Sequence, residues 1–284
     1  MTSEKPREAS RLTRIVRASL PTVPLWVIAA LFVLPILWFL LSSFKPGGEL
    51  FRFPLTFLPD TWTLDGYLRA WDRVDFSLYF RNTFVVATVT TTLTVIVSAA
   101  TGYALAKYKA WWLTALFMCV LSTTMLPTEV ILSPTFVVIR DLGLYDTLAG
   151  IIVPSILTAS GIFMFRQFFQ TVPDELIEAA RIDGAGEIGI FFRIMLPLAR
   201  PIVITLAIFS FQWRWNDYIW PLLVLNDPDK FTLQVALRSL LGAENIDWTI
   251  LLPASVISIL PLLVIFLVAQ RYIMSSDLNS GLKD

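Results

Sequence analysis

The sequence predicts an all-α membrane protein with six transmembrane helices, and three observations carry that expectation. The 284 residues are 56% hydrophobic and 15% charged, with a mean hydropathy of +0.70, outside the range of soluble globular domains. Uncharged runs at 18–44, 82–106, 110–128, 147–165 and 248–270 are each long enough, at about 1.5 Å per residue, to cross about 30 Å of hydrocarbon. A sixth run, 201–226, is interrupted only by Arg214 and Asp217. Spans are therefore expected at about 22–44, 82–106, 111–136, 147–166, 201–225 and 249–271, inside a transmembrane domain of 20–273.

A polar tail, 1–19, precedes the first span and carries Lys5, Arg7, Arg11, Arg14 and Arg17. That charge resembles the start of a secretory signal, but the apolar run is too long and "LSSFKPGG" after it has no small-x-small cleavage site. It reads as a membrane helix. An even number of spans puts both ends on one side, and the basic tail assigns that side to the cytoplasm. Thirteen Lys and Arg residues fall in the tails, 107–109, 166–200 and at Arg271, against eight on the opposite side.

Residues 45–81 form the longest extracytoplasmic segment, with Pro46, Gly47, Gly48, Pro54 and Pro59 as turn markers and Trp62, Tyr67, Trp71 and Tyr79 as candidate interface anchors. It reads as a lid or docking surface. In the second span, Ser98, Gly102 and Ala106 recur every four residues, a stripe that lets another helix backbone approach, either within the chain or across a subunit contact. The third segment contains Pro127 and Pro134 and is expected to bend, because proline removes a backbone donor. The fourth carries Pro154 and Gly161.

"EAARIDGAGEIG", residues 178–189, holds Gly184, Gly186 and Gly189 in the spacing of a dinucleotide-binding turn. That turn needs a strand before it and a helix opening at its first glycine. What precedes is "PDELIEAARID", a short helix with Pro173 at its first turn, Asp174 and Glu175 at its positive end, and Gly184 as a left-handed stop. So short and polar a helix is marginal alone in water, which points to a partner whose groove holds it.

"ELIEAARIDGAGEIGIFFRIMLPLARP", residues 175–201, resembles the cytoplasmic loop of permease subunits of bacterial ABC importers: Glu178-Ala179-Ala180, then Gly184, then Leu196-Pro197. "NTFVVA" (82–87), "GYALAKY" (102–108), "LGLYDTLAGIIVP" (142–154), "WNDYIWPLLVL" (215–225) and "LVAQRYI" (267–273) are similar to the six-span partner subunit of maltose-type carbohydrate importers. The resemblance implies the ABC importer permease fold, with a cytoplasmic coupling loop at 171–199. In it a helix over 174–184 would dock into an ATPase subunit, Glu178 contacting that subunit, Ala179 and Ala180 allowing close packing, and Asp183 and Gly184 shaping the turn. It also implies a second permease subunit as heterodimer partner, two ATPase subunits, and an extracytoplasmic solute-binding protein. Membrane lipid surrounds the whole, and nucleic acid has no part.

With no histidine and one cysteine, Cys119, disulfide frameworks, His or Cys metal sites and histidine-based acid–base chemistry are excluded or nearly so. No G-x-x-x-x-G-K-[ST] occurs, so ATP and Mg belong to the partner ATPase, and the chain itself is expected to be non-catalytic. Ionisable residues inside a span are costly and suggest function. Arg214 and Asp217, three apart in "FQWRWNDYIW", can face one side of a helix and pair; they either neutralise each other or serve a pathway. Trp213 and Trp215 offer ring faces and Asn216 and Asp217 directional bonds, which suits a sugar. Arg214 stands where the family pattern has a smaller or neutral residue, which raises an anionic substrate such as a sugar phosphate. Glu129 either faces the vestibule, bonds backbone freed at Pro134, or lies at the interface. The tail 274–284, "SSDLNSGLKD" at its end, departs from the family's glycine-rich ending. The competing reading is an ion-coupled transporter with Glu129, Arg214 and Asp217 as a relay and no ATPase.

Overall fold

The structure is a computed structural model that describes residues 22–73, 75–241 and 246–280; the tail expected at 1–19 lies outside them, as do the last four residues of the 274–284 tail. All regular elements among the described residues are helical. The chain divides into two compact units, one formed by the described residues up to Ala70 with Asp247–Ile257, the other by Trp71–Ile246 and the residues from Ser258 onward.

The first unit opens with α1, Thr22–Ser42. Its face is apolar all round, and 6% of its most apolar window is buried in the chain, so side chains such as Trp26, Leu31 and Phe32 are left for lipid or another subunit. After α1 the chain folds back on two buried charges, next to the one-turn helix α2, Gly47–Leu50. Lys45 Nζ donates to the Thr56 carbonyl at 2.5 Å, and Glu49 Oε1 accepts from the Asp60 N–H at 2.8 Å. Each buried charge thus meets a backbone group that the loop would otherwise leave unsatisfied. Tyr67, a candidate interface anchor, instead has its hydroxyl 2.6 Å from Ser43 Oγ and its ring 5.1 Å from Phe44. In α3, Asp65–Arg73, a Cβ on Gly66 would stand 2.4 Å from the Thr249 carbonyl, so only glycine permits that approach.

The second unit is built around α4, Phe76–Lys107. Hairpin partner α5, Trp111–Ser122, runs into a single 3-10 turn, Thr123–Met125. Leu126 is then extended, as a residue before proline prefers, and α6, Thr128–Asp141, departs at 114°. The third span expected at 111–136 is therefore not one helix: Pro127 breaks it, while Pro134 sits within α6. Next come α7, Leu148–Ile152, with a turn Val153–Ser155, and, bent by 41°, α8, Ala159–Thr171. Short helices α9, Glu175–Ile182, α10, Glu187–Ile190, and, after a π turn at Phe191–Met195, α11, Leu196–Leu198, lead to α12, Arg200–Trp215. The bend into α12 is 78°. Within the span expected at 201–225, α12 ends at Trp215, and α13, Ile219–Val224, starts after a break. Last are α14, Leu233–Leu241, and α15, Trp248–Ser280. Among the described residues three helices (α1, α4 and α15) are long and apolar enough to cross a membrane, or up to six segments if each bent pair is one span, by length and composition.

The small-residue stripe of α4 is used inside the chain. A Cβ on Gly102 would lie 2.6 Å from Phe165 Cβ and 2.8 Å from the Arg166 nitrogen, and one on Gly161 would lie 2.8 Å from Ser98 Oγ. Helices α4 and α8 therefore meet backbone to backbone, the contact that drives association where lipid removes the hydrophobic incentive. Thr91 Oγ1 donates across to Ser210 Oγ at 3.3 Å, tying α4 to α12. Cys119 lies exposed on α5.

At the other end of α4 the loop 225–233 is fastened from two sides. Asn82 Nδ2 donates to the Asp229 and Phe231 carbonyls at 2.9 and 3.1 Å. Asp146, in a left-handed turn at φ 54°, accepts from the N–H groups of Asn226 and Asp227 at 2.9 and 3.0 Å and from Lys230 Nζ at 2.9 Å. These donors, the Asp227 N–H foremost, pull its carboxyl down to about 2. A depressed carboxylate stabilises the fold fully above its ordinary value of 3.8 and loses that contribution progressively as pH falls from there through about 2. Hydrogen exchange at Asn226 and Asp227, corrected for intrinsic rates, is expected to stay slow in wild type as pH falls to about 4, the unfolded value. Asp146→Gly, which keeps the backbone angle, should accelerate it about tenfold.

Candidate functional site

Three helix breaks converge in the second unit on a cleft of ≈ 860 Å³. Thr128, Glu129 and Thr135 of α6 form one wall; Pro154 and Ser155 lie at the break after α7; Gln212, Trp213, Arg214, Asn216, Asp217 and Tyr218 come from the end of α12 and the break before α13. Broken helices leave carbonyls without intrahelical donors, and at membrane depth such backbone is tolerated where it lines a cavity. The Ser155 carbonyl accepts from Thr94 Oγ1 at 3.3 Å and from Arg214 Nη2 at 3.4 Å. Arg214 Nη1 lies 3.6 Å from Asp217 Oδ2, both side chains largely buried. One guanidinium donor, the Arg214 Nε–H, is buried with no acceptor among the described residues.

The two tryptophans of "FQWRWNDY" part company. Trp213 is 69% exposed and lines the cleft. Trp215 is fully buried and lines nothing there: Phe211 stacks on it at 5.6 Å, Phe80 meets it edge-on at 5.3 Å, and its Nε1 donates to the Ser258 carbonyl at 3.0 Å. Trp215, expected to offer a ring face to sugar, thus stands in the core and holds the end of α12 in place. Glu129 sits in the first turn of α6, where the helix dipole favours an acid, and faces the cleft. Sequence reasoning passed over Gln212, Tyr218 and Ser155; Gln212 was findable, as the first uncharged amide in that apolar run.

The second arrangement lies at the Lys107 end of α4. Helix α9 turns Ile177 and Ala180 inward, against a core containing Tyr103, Phe169 and Ile190. Leu176, Glu178, Ala179 and Ile182 point out, Ile182 at 86% exposure. Of the two alanines, Ala179 is thus open to a partner, and Ala180 allows close packing within this chain. Asp183 follows, then Gly184 at φ 81°, with the Ala185 N–H returning to the Ala180 carbonyl at 2.9 Å. Both ends of α9 are gripped from α4. Lys107 Nζ bonds the Val172 carbonyl and Asp174 Oδ1 at 2.5 and 2.6 Å. Glu187 accepts from Tyr108 Oη at 2.6 Å and Arg181 Nε at 2.8 Å. The Lys107 hydrogen bond holds the Asp174 carboxyl below its ordinary value, and Arg181, then Tyr108, do the same for Glu187. Gly184 ends one helix and Gly186 opens another, inside which Gly189 lies, with no strand before them among the described residues.

Comparison with known proteins decides what this constellation belongs to. Residues 95–275 match the model of the binding-protein-dependent transport system inner membrane component. The chain belongs to that family. It is 36% identical over 276 residues to the arabinooligosaccharides transport system permease protein AraQ of Halalkalibacterium halodurans, covering 96% of this chain and 99% of that one. It is 31% identical over 263 residues to the sn-glycerol-3-phosphate transport system permease protein UgpE of Yersinia pestis bv. Antiqua, covering 89% and 94%. Its structure is similar to that of a bacterial ABC transporter involved in the import of the acidic polysaccharide alginate, with a TM-score of 0.81 at 26% identity over 95% of this chain and 99% of that one. A binding-protein-dependent permease of this kind is the non-catalytic transmembrane subunit of an ATP-driven sugar importer and a multi-pass protein of the inner membrane. The ion-coupled alternative is thereby set aside.

Proposed function

We propose that this permease forms one half of a translocation pathway for a sugar or sugar derivative, and that α9 is its coupling helix. The observation that carries the reading is the division of α9 into an inward face, Ile177 and Ala180, and an outward face on which Glu178 and Ala179 sit among the exposed apolar side chains Leu176 and Ile182. A surface of that chemistry on an eight-residue helix, fixed at both ends by Lys107 and Glu187, suits insertion into a groove of an ATPase subunit. A second permease subunit, two ATPase subunits that bind ATP and Mg, and a solute-binding protein on the far side complete the assembly, with both termini of this chain in the cytoplasm. Nucleotide-driven movement of the ATPase would bias the cleft between inward- and outward-open states through α4.

Within the cleft, Trp213 offers the stacking face, Asn216, Asp217 and Glu129 offer acceptors and donors for hydroxyls, and Arg214 keeps one donor uncommitted. Asp217 offsets the charge of Arg214, and Glu129 adds a negative group. That balance favours a neutral carbohydrate over a sugar phosphate at this site, although UgpE and the alginate importer handle anionic solutes.

Glu178→Arg tests the coupling assignment. The solubilised variant is expected to keep its second permease and lose the ATPase on co-purification, with transport-coupled hydrolysis lost. An ATPase retained at wild-type level with normal coupling would remove Glu178 from that contact.

A further inference from the structure

A second cleft, of ≈ 460 Å³, opens where the α4–α5 hairpin meets α8, and neither the translocation pathway nor α9 uses it. Its floor is apolar, from Leu105, Leu113 and Phe117; its rim is polar, from Tyr108, Lys109, Thr114, Arg166 and Gln170. We propose that it holds the headgroup of an anionic phospholipid, with Arg166 and Lys109 on the phosphate.

Depth comes first. The turn between Lys107 and Trp111 ends α4, and α5 then runs uncharged from Trp111 to Ser122, so the turn lies where hydrocarbon gives way to headgroups. Trp111, 83% exposed, and Trp112 beside it are the residues that settle at that boundary. Charge comes second. The Arg166 guanidinium carbon lies 4.3 Å over the Phe117 ring, which orients the plane and leaves its N–H groups without a carboxylate among the described residues. Lys109 likewise has none within ion-pair distance among them: the nearby Asp174 is held by Lys107 at 2.6 Å. Two cations over an apolar floor at the membrane surface favour a counter-ion from outside the chain. A diacyl phosphate supplies the negative charge for the rim and the start of an acyl chain for Phe117 and Leu113. Gln170 adds an amide for the glycerol and ester oxygens. The proposal needs only that the chain crosses a bilayer, and it survives if α9 is not the coupling helix.

The test uses the assembled importer in nanodiscs of phosphatidylglycerol and phosphatidylcholine, moved into detergent, with retained lipid counted by mass spectrometry. Wild type should retain phosphatidylglycerol in preference, and Lys109→Gln and Arg166→Gln should each lower that retention about fivefold, roughly multiplicatively in the double variant. Lys109→Gln, on an exposed turn, keeps the test open if the Arg166 variant assembles poorly, and Arg166→Lys should restore part of the retention. Equal retention of the two lipids, or unchanged retention in the variants, overturns the proposal. So does release of the lipid by inorganic phosphate at the same affinity, which would make this a free-anion site. A subunit of the importer found to fill the cleft would likewise overturn it.

Discussion

Gly102→Val is expected to leave little folded protein. Its Cβ would stand 2.6 Å from Phe165 Cβ and 2.8 Å from the backbone nitrogen of Arg166, and neither the backbone nor a Cβ can swing away as a side-chain tip can. Helices α4 and α8 would have to separate along the seam that also contains Ser98 and Gly161. Overpacking of this kind costs about 3 kcal/mol or more, and α4 has no compensating apolar burial to draw on in lipid. Gly186→Ala is the control, since nothing lies within 4 Å of its added Cβ and its φ of −75° suits any residue. Gly184→Ala should fall between the two, because φ 81° costs about 1 kcal/mol without glycine. Thermal melts of the detergent-solubilised variants, read by monodisperse size exclusion, should rank Gly186→Ala, Gly184→Ala, Gly102→Val in order of increasing loss. A Gly102→Val protein melting like wild type would mean that the seam opens in the working molecule.

Arg214→Met should destabilise the protein strongly and abolish transport. Removing one member of a largely buried pair leaves Asp217 without its cation, a loss of about 3–5 kcal/mol, and strips the Ser155 carbonyl of one donor. The informative variant is the double one, Arg214→Met with Asp217→Asn. With neither charge left behind, most of the melting temperature should return. If Arg214 and Asp217 touch the sugar, transport stays lost while stability recovers, and the loss appears in substrate-stimulated ATP hydrolysis as well. Recovery of transport together with stability would reduce the pair to a structural clip between α12 and the break after α7.

Several helix ends were legible in the linear order of residues. Charge-free runs, prolines and capping glycines act within a few residues of themselves, so Pro127 could be read as a break and Gly184 as a stop before any packing was known. The same holds for α9, whose Pro173, Asp174 and Gly184 bracket it locally. Pro134 shows the limit of that reading: it has the same chemistry as Pro127 and stays inside α6.

Azimuth was not legible. In a soluble helix the polar face marks the outside, but a membrane helix is apolar toward lipid and toward its neighbours alike, so hydropathy along the chain carries no rotation angle. Trp213 and Trp215 were equivalent on paper, and only the contacts of α12 with Phe80 and the Ser258 carbonyl turned one into the core and left the other in the cleft. Ala179 and Ala180 divided for the same reason. The hydrogen bond of Tyr108 to Glu187 and that of Arg214 to the Ser155 carbonyl join residues 79 and 59 positions apart. Such pairings follow from how α4, α8 and α12 stack, a property of backbone approach at Gly102 and Gly161 that no single segment contains.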